Sequence, residues 1–255
     1  MMRVTDTIYF AAYHDRIGHK IPNLISNHDF SEGTIEFSYS TRSSAVYSAN
    51  IEGNPLDLNS YMNQKRSQTK FKSKELQEID NLIAAYELAL QNELNETNFL
   101  ACQALFSKTL LIKSKRETYR DEKVGVYDQN GLVYLAIEPE KVKERMNAFF
   151  QGITTLLKAD LSEEATFYHA SLIHLIFVHI HPFLDGNGRG ARLLEKWFIS
   201  QVLGEHFWKI PSEKYYWDHR PEYYENINLG VNYYELDDSG CLPFLAMLPG
   251  CLAEK

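Results

Sequence analysis

The sequence predicts a mainly α-helical protein that carries one β-hairpin. Apolar residues recur at helical spacing along most of the 255 residues. One stretch instead is rich in Val and Tyr and has Asn130-Gly131 at its centre, which is the strongest short signal for a hairpin. The composition, 44% hydrophobic and 24% charged, is that of a globular protein with enough apolar surface for a core. This length fits one large domain, or a domain with a small extension.

Four segments carry the clearest helical periodicity: residues 74–91, 98–111, 141–157 and 166–180. The last of them is apolar on most sides, so we expect it to be central and buried. The hairpin is expected within residues 119–137. Because a two-stranded hairpin is weak alone, it must lie on the helical body, and its outer edge would be available to another extended chain.

Composition also argues against several classes of function. The 26 basic and 34 acidic residues give a net charge of −8, which disfavours a surface that binds nucleic acid or anionic lipid. A protein with this net charge can still have a small basic pocket for a phosphate. The three cysteines are widely spaced and form no CxxC pair, as expected in a reducing compartment. No stretch approaches the length of a membrane helix, so we expect a cytoplasmic protein without nucleic-acid or membrane partners.

The stretch from His181 to Arg192 reads HPFLDGNGRGAR and carries the chemistry. Pro182 disfavours helix at His181, so the buried helix is expected to end there. Small turn-forming residues follow, and a second helix is expected to begin near Asn187 or Gly188. The segment is therefore a helix, a tight loop and a second helix.

That arrangement suits a polyphosphate. The amides at a helix N-terminus attract anions, and Arg189 and Arg192 are spaced to share one face of the first turn. Asp185 offers a hard oxygen ligand for Mg²⁺, and His181 can accept a proton from a hydroxyl near neutral pH. These elements together indicate phosphoryl or nucleotidyl transfer.

The same stretch resembles the signature HxFx(D/E)GNGRxxR of the Fic family and matches every fixed position. The resemblance implies a Fic-type helical domain with a β-hairpin flap. It implies transfer of AMP from ATP, with Mg²⁺, to a Ser, Thr or Tyr hydroxyl of a target protein. His181 would be the general base, Asp185 would hold the metal, and Arg192 would hold the γ-phosphate. The nucleotide-binding residues implied within the signature are Asp185, Gly186, Asn187, Gly188, Arg189 and Arg192.

A second match lies upstream, where the chain is similar to the inhibitory motif of the family, (S/T)xxxE(G/N), with Ser48, Glu52 and Gly53. Residues 36–52 can form a helix that Gly53 would end. The resemblance implies that Glu52 reaches Arg192 and occupies the group meant for the γ-phosphate. Residues 1–60 would then be an N-terminal segment with the inhibitory helix, and residues 61–255 the catalytic domain, both in one structural unit.

Two further likenesses to the family are less specific. The strand Val133, Tyr134, Leu135 and Ala136 lies where the family has the flap that clamps the target segment. Tyr223 and Tyr224 resemble a Tyr pair that contacts the adenine, although Val231 stands where an Asn is frequent. The family also makes a homodimer possible.

The sequence leaves alternatives open. The same fold could use another nucleotide donor, or could remove AMP with the help of Glu52. Phosphate transfer in the manner of the Doc branch is disfavoured because the GNG of the anion loop is intact. A protein of a different class, a module that senses nucleotide without catalysis, is the remaining alternative.

Overall fold

The computed structural model describes residues 2–30, 37–66, 73–129 and 131–253. Helices dominate these parts of the chain, as the sequence predicts, and two short strands form the hairpin. The helices are α1 (Phe10–Arg16), α2 (Ile21–Asn27), α3 (Phe37–Ile51), α4 (Leu58–Arg66), α5 (Lys74–Leu90), α6 (Glu96–Phe106), α7 (Pro139–Leu157), α8 (Glu163–Ile180), α9 (Asn187–Leu203), α10 (Ser212–Asp218), α11 (Arg220–Ile227), α12 (Leu242–Leu245) and α13 (Met247–Gly250). The strands are β1 (Gly125–Asp128) and β2 (Gly131–Leu135).

Helix α8 lies at the centre of the fold, as its apolar sequence predicts. From Thr166 to Phe177 every residue is buried. The helix begins where the Ser162 hydroxyl accepts a hydrogen bond from the Ala165 amide, and it packs along α9. Because α8 ends at His181 and α9 begins at Asn187, the junction of these two core helices fixes the position of the signature loop.

Helix α3 is anchored in the same core. Its residues Ala45, Val46 and Ala49 are fully buried. Its Ser44 hydroxyl accepts a hydrogen bond of 2.7 Å from the buried Lys196 ammonium on α9. Core side chains thus come from both sides of residue 60.

The hairpin is shorter than the predicted span of 119–137. Strands β1 and β2 pair antiparallel, with a bulge that leaves Val133 without a partner in the ladder. Asn130, half of the predicted turn, lies outside the described residues, as does Glu36 of the predicted helix 36–52. Beyond β2, Leu135 pairs with the segment around Asn232, which covers part of the outer edge of the hairpin.

None of the helices in the described parts of the chain combines the length and the apolar character needed to cross a lipid bilayer.

Candidate active site

The turn between α8 and α9 is held by a sharp backbone reversal at His181. This residue adopts a left-handed conformation with φ of 52°, and its amide still donates to the Phe177 carbonyl at 3.0 Å. A positive φ is uncommon for a residue with a side chain, and here it ends α8. The histidine therefore stands at the edge of the loop instead of continuing the buried face of α8.

Two residues shape the rest of the loop. The Asn187 amide group donates to the Phe183 carbonyl at 2.8 Å, and its oxygen accepts from the Phe183 amide at 2.9 Å. Gly186 has φ of 85°, and a Cβ there would lie 2.8 Å from the Phe106 ring. The Asn187 side chain thus closes the loop.

The N-terminus of α9 is an anion-binding end. Its N-cap, Gly186, has no side chain that could cap the helix. The first turn carries the positive end of the helix dipole, and Arg189 and Arg192 add two cations beside it. Both guanidinium groups are buried, with 6% and 0% of their side chains exposed.

Glu52 occupies this anion-binding end. Its Oε1 lies 2.7 Å from Arg192 Nη2, and a Cβ on Gly188 would overlap the same oxygen. Glu52 follows directly on α3, and the chain turns away at Gly53, whose φ is 96°. Burial raises the pKa of the Glu52 carboxyl, but the attraction of Arg192 and Arg189 outweighs it and lowers the pKa overall.

Ser48, one turn earlier on α3, also binds the Arg192 guanidinium group. Its hydroxyl accepts from Arg192 Nε at 2.9 Å, and its carbonyl accepts from Nη2 at 2.9 Å. Ser48 and Glu52 thus both contact Arg192, and Gly53 forms the turn that follows α3.

A second carboxylate, which the sequence does not reveal, pairs with Arg189. Glu78 on α5 forms an ion pair with Arg189 Nη2, and it also accepts a hydrogen bond of 3.2 Å from the Asn54 amide group. The Arg189 Nε is buried and has no hydrogen-bond partner among the described residues. The guanidinium group thus keeps one buried donor for a further acceptor.

The His181 imidazole is set up as a neutral base. Its Nδ1 lies 3.2 Å from the Val178 carbonyl, which can only accept a hydrogen bond, so Nδ1 carries the hydrogen and donates. The pKa of His181 is lowered to about 4, chiefly by burial and also by the nearby charge of Arg120, against the opposing effect of the Val178 carbonyl. Nε2 therefore carries a free lone pair at neutral pH.

The part of the site around His181 and Glu52 opens onto a cavity of about 690 Å³, a size suited to a nucleotide. His181, Gly188 and Glu52 line one part of it. The hairpin lines a second part with Val126, Tyr127, Asp128, Val133 and Tyr134. Helix α11 lines a third part with Arg220, Tyr223, Tyr224, Glu225 and Ile227.

Asp185 is the candidate for a metal ligand. The described residues contain no group of three or more His, Cys, Asp or Glu side chains that could hold a metal ion. A nucleotide-bound Mg²⁺ needs only one or two carboxylates, because phosphates and water complete its shell. Half of the Asp185 side chain is exposed, and its Oδ1 accepts from the Gly186 amide at 2.6 Å. A single exposed carboxylate beside the anion-binding end fits that requirement.

The two tyrosines of α11 have different surroundings. Tyr223 is buried, and its hydroxyl contacts Arg192 Nη1 at 3.2 Å. Tyr224 is 43% exposed and donates to the Ile51 carbonyl at the end of α3, while the Arg220 guanidinium lies over its ring. Only the Tyr224 ring is open enough to stack on a base.

The four predicted flap residues are also not equivalent. Tyr134 is buried and donates to the His179 carbonyl at 2.5 Å, so it secures the hairpin to α8. The Leu135 backbone is bonded to Val231 and Tyr233. Ala136 lies beyond β2, and its amide donates to the Val124 carbonyl. Of the three that lie in β2, Val133 alone has no partner in the ladder.

Arg120 is a site residue that the sequence does not single out. It is buried, and its guanidinium group donates to carbonyls of His181 at 2.7 Å, Glu122 at 2.9 Å and Ile137 at 2.5 Å. It thereby ties the left-handed turn at His181 to the base of the hairpin. Because 61 residues separate Arg120 from His181, no local spacing could indicate this contact.

Comparison with known proteins points to one family. The family model described as Fic/DOC matches residues 93–199, which include the whole signature. A curated relative, "Protein adenylyltransferase Fic" from Nematostella vectensis, is 29% identical over 137 residues. The match covers 52% of this chain and 26% of the relative, so the chain spans only part of that protein.

Solved structures show the same fold. A Fic family protein from Desulfovibrio desulfuricans G20 superposes with a TM-score of 0.77 at 21% identity, covering 99% of this chain and 74% of that one. Fic-1 from C. elegans superposes with a TM-score of 0.68 at 18% identity, covering 97% of this chain and 72% of that one. The family model identifies a Fic domain of the Fic/DOC family at residues 93–199, and the solved structures show the fold alone.

Proposed function

We propose that this protein is a protein adenylyltransferase, which transfers AMP from ATP to a Ser, Thr or Tyr hydroxyl of a target protein and is held in check by Glu52. The observation that carries the proposal is the position of Glu52 Oε1, 2.7 Å from Arg192 Nη2 over the start of α9, in a cavity that His181 also lines. A carboxylate occupies the place that the phosphates of a nucleotide would need.

Phosphate binding would use charges that are already in place. The free amides at the start of α9 and the guanidinium groups of Arg189 and Arg192 supply the positive field. The unpaired Arg189 Nε would gain a phosphate oxygen as its acceptor. Asp185 would hold Mg²⁺, which when bound neutralises phosphate charge.

In the reaction, the hydroxyl oxygen of the target forms a bond to the α-phosphorus, and the bond from that phosphorus to pyrophosphate breaks. The hydroxyl proton passes to His181 Nε2, which is free because Nδ1 is bound to the Val178 carbonyl. The products are the AMP ester of the target and pyrophosphate. The protein contributes positioning and a fixed positive field for the charge that develops.

The target segment would approach along the hairpin. Val133 is the bulged residue of β2 and has no partner in the ladder, so an extended segment could add beside it. Exposed apolar side chains on the same hairpin, among them Tyr127 and Leu132, offer contact area. A segment bound there would lie next to the cavity that His181 lines.

The proposed inhibition follows from the positions of Glu52 and Arg192 relative to the cavity. Glu52 lines the cavity, whereas the Arg192 side chain is fully buried behind it. A γ-phosphate would reach Arg192 only after Glu52 leaves. ATP would otherwise bind weakly, or in a pose that does not align the α-phosphorus with the attacking hydroxyl.

The test is to identify the transferred group. Glu52→Gly protein is incubated with Mg²⁺, a host lysate and ATP labelled on either the α- or the γ-phosphate, and labelled proteins are analysed by mass spectrometry. The proposal predicts label from α-labelled ATP alone, with AMP on a hydroxyl side chain. The double variant Glu52→Gly with His181→Ala should transfer no label. Label from γ-labelled ATP would show phosphate transfer instead. Binding of ATP without any product would indicate a nucleotide-sensing module.

A further inference from the structure

Among the residues that the structure describes, Arg192 is held by four hydrogen bonds, and three of them come from helix α3 and the residue that follows it. Ser48 accepts from Nε and, through its carbonyl, from Nη2, and Glu52 accepts from Nη2. The fourth bond joins Nη1 to the Tyr223 hydroxyl on α11 at 3.2 Å. If Glu52 must withdraw for ATP to bind, Tyr223 is the anchor of Arg192 that does not depend on α3.

The Tyr223 hydroxyl is itself fixed by a buried chain of polar groups. It lies 3.0 Å from His174 Nε2 on α8, and His174 Nδ1 lies 2.8 Å from Glu195 Oε2 on α9. Tyr216 on α10 donates to the same carboxylate at 3.0 Å. None of these links involves α3. The His174 and Glu195 side chains are 0% exposed, so water cannot substitute for a lost link at low cost.

The directions of these hydrogen bonds follow from what each group can do. The Glu195 carboxylate only accepts, so His174 carries a hydrogen on Nδ1, and in the neutral imidazole Nε2 is then the acceptor. The Tyr223 hydroxyl donates its single proton to that nitrogen, and its lone pairs face Arg192. Burial raises the pKa of Tyr223, so the hydroxyl keeps the proton that this arrangement needs.

We propose that Tyr223 is a positioning residue which keeps Arg192 directed at the cavity once Glu52 has left it, and that His174 and Glu195 orient the Tyr223 hydroxyl for this task. The inference rests on the proposed function, in which Arg192 binds the γ-phosphate. Tyr223 would thus contribute to binding of the γ-phosphate through Arg192, whereas the family resemblance implies that it contacts the adenine.

A contact with the adenine and a role in orienting Arg192 can be distinguished by comparing the affinities for ATP, ADP and AMP. A contact with the adenine acts on ATP, ADP and AMP alike, since all three carry the base. A residue that orients Arg192 acts on ATP far more than on ADP or AMP. The loss of one charge-assisted hydrogen bond, about 1.5 kcal/mol, corresponds to about tenfold in affinity.

The experiment measures Kd values by calorimetry, with Mg²⁺, for ATP, ADP and AMP on Glu52→Gly and on Glu52→Gly with Tyr223→Phe. We expect ATP affinity to fall about tenfold while AMP affinity stays within about twofold. The KM for ATP in the transfer assay should rise by a similar factor with a smaller change in kcat. Tyr13→Phe on α1 is the matched control, because the buried Tyr13 hydroxyl has no hydrogen-bond partner among the described residues.

If Tyr223→Phe does not fold, the same affinities are measured on His174 variants in the Glu52→Gly background. His174→Ala should give the same selective loss of ATP affinity, and His174→Gln, whose amide oxygen can accept from the tyrosine, should recover part of it. An equal loss for all three nucleotides, or no loss for ATP, would overturn the role of Tyr223 while leaving the transferase in place. If Glu52→Gly binds no nucleotide at all, the proposed function fails, and this inference fails with it.

Discussion

The Glu52 carboxylate and the Arg192 guanidinium form an ion pair of 2.7 Å in which the two partners differ sharply in exposure. The Glu52 side chain is 26% exposed and lines the cavity, whereas the Arg192 side chain is 0% exposed. An anion that enters the cavity therefore meets Glu52 before it meets Arg192. The same carboxylate lies over Gly188, so it shields both the arginine and the first turn of α9.

The low pKa of His181 sets the pH dependence that we expect. Burial lowers this pKa to about 4, so the imidazole is the neutral base across the range from about pH 5 to 8. The rate of transfer by Glu52→Gly protein should therefore show no decline as pH falls from 8 to about 5.5. The measurement is kcat/KM against pH at constant ionic strength. A rate that halves near pH 6.5 would mean that His181 titrates like an exposed histidine.

Gly188→Ala should reveal the contact between Glu52 and the start of α9. In the otherwise unchanged protein, a Cβ at this position would overlap Glu52 Oε1, so we expect a loss of stability. In the Glu52→Gly background that atom is gone and the nearest remaining neighbour is Arg192 Nη1 at 3.2 Å, so we expect a smaller loss, offset by the helix preference of Ala over Gly of about 1 kcal/mol.

A double-mutant cycle in urea measures this coupling. We expect an interaction energy of roughly 1–2 kcal/mol between the two positions, a size typical of residues in contact. If Gly188→Ala has the same effect in both backgrounds, Glu52 does not lie over the α9 terminus in solution.

Arg120 should be a stability residue of the site. Arg120→Met would leave the carbonyls of His181, Glu122 and Ile137 without their donor, at a cost of about 1–3 kcal/mol for each carbonyl that water cannot reach. Arg120→Lys should recover only part of this loss, because one ammonium cannot reach three directions at once. The measurement is the free energy of unfolding in urea. Arg145→Met, at an exposed position, is the control and should change it by less than about 0.5 kcal/mol.

Sequence patterns predicted those parts of the site that depend on neighbours along the chain. The helix break at His181-Pro182 and the start of α9 at Asn187 follow from local turn and helix chemistry, and the structure has both. Gly53 likewise ends its turn with the positive φ that a glycine allows. The hairpin was placed correctly, but only its inner part forms strands, because Arg120 and its neighbours are drawn to the signature loop.

Contacts between distant residues had no such pattern. The pairing of Glu78 with Arg189 joins positions 111 residues apart, and nothing in the sequence around Glu78 distinguishes it from an ordinary surface residue of a helix. The surroundings of Tyr223 were equally hidden, since a Tyr-Tyr pair gives no sign of which ring is buried against His174. Burial and tertiary contact decide these roles, and the spacing of one sequence does not encode them.

The most direct test of the account is the initial rate of label transfer from α-labelled ATP, with Mg²⁺, by the unchanged protein, Glu52→Gln, Glu52→Gly, and Glu52→Gly with His181→Ala. We predict at least about a tenfold higher rate for Glu52→Gly than for the unchanged protein, since a charge-assisted hydrogen bond is worth about 1.5–3 kcal/mol. Glu52→Gln should fall between them, because it keeps the shape but loses the charge, and the double variant should give no label. Equal rates for the unchanged protein and Glu52→Gly would contradict the claim that the Glu52–Arg192 pair controls this site.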